Sequence, residues 1–164
     1  MSTTRAARRS DQSNGSDLRP RGCTNFRLRQ LTRRISQHYD IELAKVGLKT
    51  TQYSLLSHVL KLGPVRPGDL AQAMTLDAST LTRNLQPLVA AGWVRVDAGD
   101  DGRSRSVTIT EAGRAKQAEG YRRWRAAQDG INEQLGAERV VALHTLVDEC
   151  LATLSPLPDG DPDE

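Results

Sequence analysis

The side chains with the most chemistry to offer lie between Ser79 and Arg105, and they suit gripping rather than cleaving. Ser79, Thr80, Thr82, Arg83 and Gln86 fall opposite Leu81, Leu85 and Leu88 on a short helical pattern. A guanidinium can bond a guanine edge twice and a carboxamide an adenine edge twice, each good pair worth about 1–3 kcal/mol of base discrimination. Hydroxyls and a helix N-terminus suit phosphate oxygens. A face rich in Ser and Thr is a poor choice for a helix that meets only water, because Ala, Glu and Lys propagate helices better. Further on, the run Gly99-Asp100-Asp101-Gly102-Arg103-Ser104-Arg105 places two arginines on a glycine-flexed tip. Such a tip fits a narrow minor groove, where negative potential is enhanced.

Other chemistries find little support. The chain has no phosphate-binding glycine loop, GxSxG, HExxH or carboxylate pair in a plausible cleft, so no enzyme is expected. His38, His58 and His144 show no i,i+4 pairing and no His/Cys cluster, so neither a metal nor a cofactor is expected. Cys23 and Cys150 lie far apart without a CxxC, which excludes a disulfide framework and a zinc finger. Cys23 opens the first helix with Arg21 and Arg27 nearby, a setting that favours thiolate and makes it the redox candidate. Cys150 is expected to be buried and inert.

These residues need elements to hold them. Leu28, Leu31, Ile35, Tyr39, Leu43 and Val46 make one apolar stripe, predicting a first helix over 24–46 that stops at Gly47. Thr50 or Thr51 is expected to cap a second helix that buries Leu55, Leu56, Val59, Leu60 and Leu62 and ends at Gly63-Pro64. Pro67 opens a third, short helix carrying Leu70, Ala71 and Met74. After the turn Thr75-Leu76-Asp77, a fourth helix spans 78–91, with Asp77 as N-cap, Leu76 and Leu81 as a hydrophobic staple, and Gly92 as the stop. The period then falls to two, giving strands at 93–96 and 106–110 around a polar loop. Thr110 caps a helix over 111–135 with the stripe Tyr121, Trp124, Gln128, Ile131 and Leu135. A last helix carries Val140, Leu143, Val147, Leu151 and Leu154.

Helix, tight turn, helix and hairpin form a winged helix-turn-helix lobe, expected over 51–110, in which the second helix enters the major groove. The fold class is mainly α with a small β-hairpin wing. The stripes of 23–50 and 111–154 exceed what that lobe can cover, so these segments are expected to dimerise. Residues 1–22 read as a disordered basic arm and 155–164 as a disordered acidic tail. The net charge of +3 permits a polyanionic partner without demanding one. With no long apolar run and no apolar segment near Met1, no membrane partner or secretion signal is expected, and the cytoplasm is the natural setting.

Three blocks carry a family likeness: Asp69-Leu-Ala through Ser79-Thr-Leu-Thr-Arg-Asn-Leu-Gln-Pro-Leu; Ala91-Gly-Trp-Val; and Asp101-Gly-Arg-Ser-Arg-Ser-Val-Thr-Ile-Thr-Glu-Ala-Gly. Together with Thr51-Gln52-Tyr53-Ser54-Leu55-Leu56 they resemble the MarR family of bacterial regulators over nearly all of 23–154. The resemblance implies a homodimer on a pseudo-palindromic double-stranded operator, usually as a repressor. It implies release by a small aromatic or phenolic acid, or by an oxidant. Arg103 becomes the groove-entering wing residue, and Pro87 a common variant that should bend the recognition helix at the Arg83 carbonyl. Candidate effector contacts are Arg27, His38, Tyr39, Tyr53, His58 and Trp124. Cys23 lies about two positions from the cysteine of peroxide-sensing relatives. A helical adaptor that does not bind DNA is the competing class, and Arg83, Gln86 and Arg103 argue against it.

Overall fold

The computed structural model describes residues 21–98 and 105–154, and the expected arm and tail fall almost wholly outside them. Eight elements follow in order: α1 (Thr24–Ala44), α2 (Thr50–Leu62), α3 (Pro67–Ala73), α4 (Ala78–Ala90), β1 (Val94–Ala98), β2 (Arg105–Ile109), α5 (Glu111–Leu135) and α6 (Ala137–Thr153). The strands form an antiparallel hairpin with Val94 opposite Ile109 and Ala98 opposite Arg105. Val65, between α2 and α3, adds an antiparallel bridge to Val107, with bonds of 3.1 and 2.8 Å. Asp97, Ala98 and Arg105, expected in the loop, therefore belong to the strands.

One core joins these pieces. Leu55, Leu56 and Val59 of α2 meet Leu70 and Ala71 of α3, Leu81, Leu85 and Leu88 of α4, and Val94, Val107 and Ile109 of the hairpin. Leu88, Leu56 and Val107 are wholly inaccessible. Complete burial of such side chains contributes about 1.5–3 kcal/mol each. The alternation of β2 sends Val107 and Ile109 inward while Ser106 and Thr108 stay part-exposed.

Several expectations need correction. The first helix ends at Ala44, two residues early, because the chain turns through Lys45 and Val46 to reach Gly47 at φ +68°. The N-cap of α2 is Lys49, not Thr50 or Thr51. The Gln52 side chain accepts from the Lys49 backbone N–H at 2.9 Å, and Thr50 gives both its N–H (2.9 Å) and its hydroxyl (2.7 Å) to Asp40 of α1. A carboxylate from another helix thus does the capping work that a local hydroxyl was expected to do. Leu62 is exposed, whereas Tyr53, absent from the expected face, is buried. Cys150 is exposed as well, because no residue of α6 is buried within one chain.

The caps of α4 and α5 are those the sequence implies. The Asp77 carboxylate accepts from the Thr80 N–H, and the Thr110 hydroxyl accepts from the Gly113 N–H. Gly92 stands at φ +70° just beyond α4, where a side chain would be strained. Among the described residues, no helix is long and apolar enough to cross a membrane.

Candidate nucleic-acid interface and the cavity behind it

Positioning begins at the turn between α3 and α4. Thr75 takes a left-handed φ of +52°, and the Leu76 N–H reaches back 2.9 Å to the Ala71 carbonyl. That fold brings Asp77 to the start of α4. With Leu81, Leu85 and Leu88 committed to the core, Ser79, Thr82, Arg83 and Gln86 are exposed and Thr80 is half-buried. Pro87 is accommodated within the helix.

Ser79, Thr80, Thr82 and Arg83 are already engaged with Asp77, with one another or with the helix backbone. Ser79 Oγ donates to Asp77 Oδ1 at 2.6 Å, and Thr80 Oγ1 donates to Asp77 Oδ2 at 2.7 Å. The Thr80 N–H reaches Asp77 Oδ1 at 2.7 Å. Thr82 Oγ1 donates 2.8 Å back to the Ala78 carbonyl. Arg83 folds along its own helix, with Nη2 3.2 Å from Thr80 Oγ1 and Nε 3.4 Å from the Ser79 carbonyl. The Ser79 hydroxyl, the Thr80 N–H and hydroxyl, and the Arg83 charge hold the Asp77 carboxyl well below the usual carboxylate range.

Arg105 opens β2, and a hollow of about 500 Å³ between the hairpin and α4 has Arg105, Val96, Thr82, Gln86 and Val89 among its lining residues. The hairpin root and the outer face of α4 thus share one surface. Arg103 and Ser104, the other expected wing contacts, lie outside the described residues.

Behind this lobe, where α1, α2 and α5 meet, Tyr39, Thr50, Tyr53, Ser54, Ser57, His58 and Trp124 line a cavity of about 330 Å³. Trp124 stacks on Tyr39, Tyr53 and Tyr121 at centroid separations of 6.5, 6.3 and 6.0 Å. Tyr39 donates its hydroxyl to Gln128 Oε1, and Gln128 donates to Asn132 at 2.9 Å. Burial pushes the Tyr39 and Tyr53 hydroxyls above their ordinary range, so both are protonated at neutral pH. His58 Nδ1 lies 2.8 Å from the Ser54 carbonyl, which only accepts. Nδ1 is therefore the donor of that bond, and in the tautomer that carries its proton there Nε2 is an acceptor.

Four of the six expected effector contacts come together here: Tyr39, Tyr53, His58 and Trp124. Arg27 and His38 do not line the cavity. Arg27 sits twelve residues before Tyr39, about 18 Å away along the helix axis, and His38 is turned roughly 100° from its neighbour Tyr39. Thr50, Ser54 and Ser57 were missed; the available signal was the step of three or four from Tyr53 to Thr50 and Ser57, and from His58 to Ser54. Cys23 is exposed at the N-cap of α1.

The lobe, with α3, α4 and the hairpin on one core, defines a winged helix-turn-helix protein. The MarR family model matches residues 46–104, the span from the end of α1 into the hairpin. An uncharacterized HTH-type transcriptional regulator of Bacillus subtilis, YwoH, is 28% identical over 92 residues, covering 56% of this chain and 67% of the relative. The MosR transcriptional regulator of Mycobacterium tuberculosis, crystallised with DNA, is 29% identical with a TM-score of 0.64 over 79% of this chain and 98% of its own. A probable transcriptional regulator of Pseudomonas aeruginosa is 26% identical with a TM-score of 0.70, over 77% of this chain and 95% of its own. Over the lobe, and in its whole-chain fold, the chain is similar to the MarR family of transcriptional regulators.

Proposed function

We propose that this protein is a cytoplasmic, homodimeric repressor that reads a pseudo-palindromic operator with α4 and the hairpin and leaves it when a small aromatic molecule fills the Tyr39–Trp124 cavity. The observation that carries the reading is the outer face of α4. Its exposed residues include the hydroxyls of Ser79 and Thr82, the Arg83 guanidinium and the Gln86 carboxamide, its inner residues are leucine, and Arg105 of the hairpin borders the same surface. DNA-bound MosR, similar over nearly its whole length, supports that assignment. Arg83 and Gln86 are the base-reading residues, Ser79, Thr80 and Thr82 complete the face, and Arg103, Ser104 and Arg105 form the wing contact.

A second copy follows from what one chain leaves uncovered. Phe26 and Leu28 of α1 are 61% and 52% exposed, and Leu146 and Leu151 of α6 are 58% and 67% exposed. An apolar groove between the helices is lined by Leu28, Leu31, Ile35, Leu143 and Val147. So much exposed apolar surface is unusual for a monomer. A twofold dimer would set the two reading helices about 34–36 Å apart, one turn of DNA.

The cavity favours the phenolic over the acidic class of effector. Its lining contains no Arg or Lys, and one of its hydroxyls, that of Thr50, is bonded to the Asp40 carboxylate. A flat ring would stack on Trp124, and its hydroxyl would donate to His58 Nε2.

Binding of the full chain to its own upstream DNA across a salt series tests the reading. Steep salt dependence with a sequence-specific component is expected. A folded dimer that binds no DNA at any salt concentration would sink it and leave the adaptor reading.

A further inference from the structure

The Ser79 and Thr80 hydroxyls were expected to donate to phosphate, yet each spends its single hydrogen on the Asp77 carboxylate. What each oxygen has left is lone pairs. One lone pair of Thr80 Oγ1 takes the Arg83 Nη2 hydrogen at 3.2 Å. The connection runs carboxylate, hydroxyl, guanidinium, and every polarity in it is fixed by the carboxylate, which can only accept. A solvent-exposed arginine ordinarily keeps wide rotamer freedom, and fixing it costs conformational entropy. Here the restriction is already in place in the free protein, so less ordering remains for the moment of binding.

We infer that Asp77 is a positioning residue for DNA reading, holding the Arg83 guanidinium in place through the Thr80 hydroxyl and turning Ser79 and Thr80 into acceptors. The inference rests on α4 being the reading helix. It assigns the partners of these two hydroxyls by chemistry. An acceptor faces the amino donors of the major groove, cytosine N4 or adenine N6, and is repelled by phosphate oxygens. The negative charge of Asp77 beside the groove also disfavours DNA that offers only backbone, which sharpens the contrast between operator and random sequence.

The test uses the full-length protein and a double-stranded operator library selected by the unmodified chain. Thr80→Val removes the hydroxyl but keeps the backbone N–H that Asp77 caps, so α4 retains its start. Base preference at each operator position and the salt slope are measured for Thr80→Val, Arg83→Ala and the double variant. Thr80→Val is expected to relax preference by about tenfold at the position that Arg83→Ala also relaxes. The double variant should be no weaker than Arg83→Ala, and the salt slope of Thr80→Val should be unchanged. Asp77→Asn, which keeps a good N-cap, should bind random DNA more tightly while losing preference. Independent, multiplying effects of Thr80→Val and Arg83→Ala would overturn the relay. So would a uniform loss of affinity in Thr80→Val with a salt slope lower by about one, which would mean a hydroxyl on a phosphate. Failure of the unmodified chain to select any sequence would instead remove the assignment of α4 itself, and the inference with it.

Discussion

Gly113→Ala is the substitution whose outcome the structure constrains most tightly. Gly113 lies in the first turn of α5, immediately after the Thr110 cap. A methyl group there would sit 2.0 Å from the Trp93 carbonyl oxygen and 2.8 Å from Ile109 Cγ1. Ordinary contact needs about 3.5 Å, so strand and helix must part by more than about 1 Å. Trp93 is backbone at that point and cannot rotate aside. Its carbonyl also accepts the Thr110 N–H at 3.0 Å, which ties the obstacle to the helix start. Alanine returns up to about 1 kcal/mol of helix propensity, while overpacking against an immovable group costs about 1–3 kcal/mol or somewhat more. A net loss of about 2 kcal/mol is expected, or roughly 4–8 °C in melting temperature for a chain of this size. Urea denaturation monitored by far-ultraviolet circular dichroism, at one fixed protein concentration, measures it. A variant as stable as the original, or more so, would show that helix propensity outweighs the clash and that α5 does not seat on Trp93 as described.

Arg103→Ala should weaken operator binding while the dimer persists; a fall in sedimenting mass would mean that the wing has been misassigned. In the cavity, an uncharged phenol such as 4-hydroxybenzaldehyde should quench Trp124 fluorescence at lower concentration than 4-hydroxybenzoate, and the reverse order would place a cation there. Leu88→Ala should cost about 2–5 kcal/mol by emptying the centre of the lobe, and a smaller loss in urea denaturation would mean that the core closes over the gap. The Asp77 carboxyl, followed by nuclear magnetic resonance, should titrate below the ordinary Asp range, because its lowered pKa stems from bonds made only in the folded chain. Its contribution to stability is then complete above the unfolded pKa and is lost as pH falls through the folded one. An ordinary midpoint would mean that the Ser79 and Thr80 bonds do not persist in solution.

What could be read from the sequence was whatever local chemistry decides. Asp77, Gly92 and Thr110 mark element ends by their own backbone and side-chain preferences, and the structure keeps all three in those roles. The leucine spacing of α4 likewise fixes which of its side chains face outward. What could not be read depended on distant partners. Thr50 is drawn to Asp40, ten residues away on another helix, and the cap moves to Lys49 as a result. Val65 pairs with Val107 across forty-two residues, with no local pattern to announce it. Cys150 and Leu151 have apolar spacing whose covering surface one chain does not supply, so periodicity suggested burial that a single copy does not provide. The polarity of the Ser79 and Thr80 hydroxyls was hidden for a related reason: residue type tells that a hydroxyl can donate, not where its one hydrogen has gone.

Thr110 is also a mechanical part of the fold. Its hydroxyl accepts from the start of α5 at 3.0 Å and lies 2.7 Å from the Gly92 carbonyl and 3.1 Å from that of Trp93. One side chain therefore rivets the end of α4, the root of the hairpin and the head of α5 at a single point. A tilt of α5 against α1 would swing α4 and the hairpin as one paddle, with neither changing shape. In the proposed dimer two such paddles would gain or lose their spacing together, so that the proposed effector, wedged among the aromatics, would spoil both half-sites without touching a single contact to DNA.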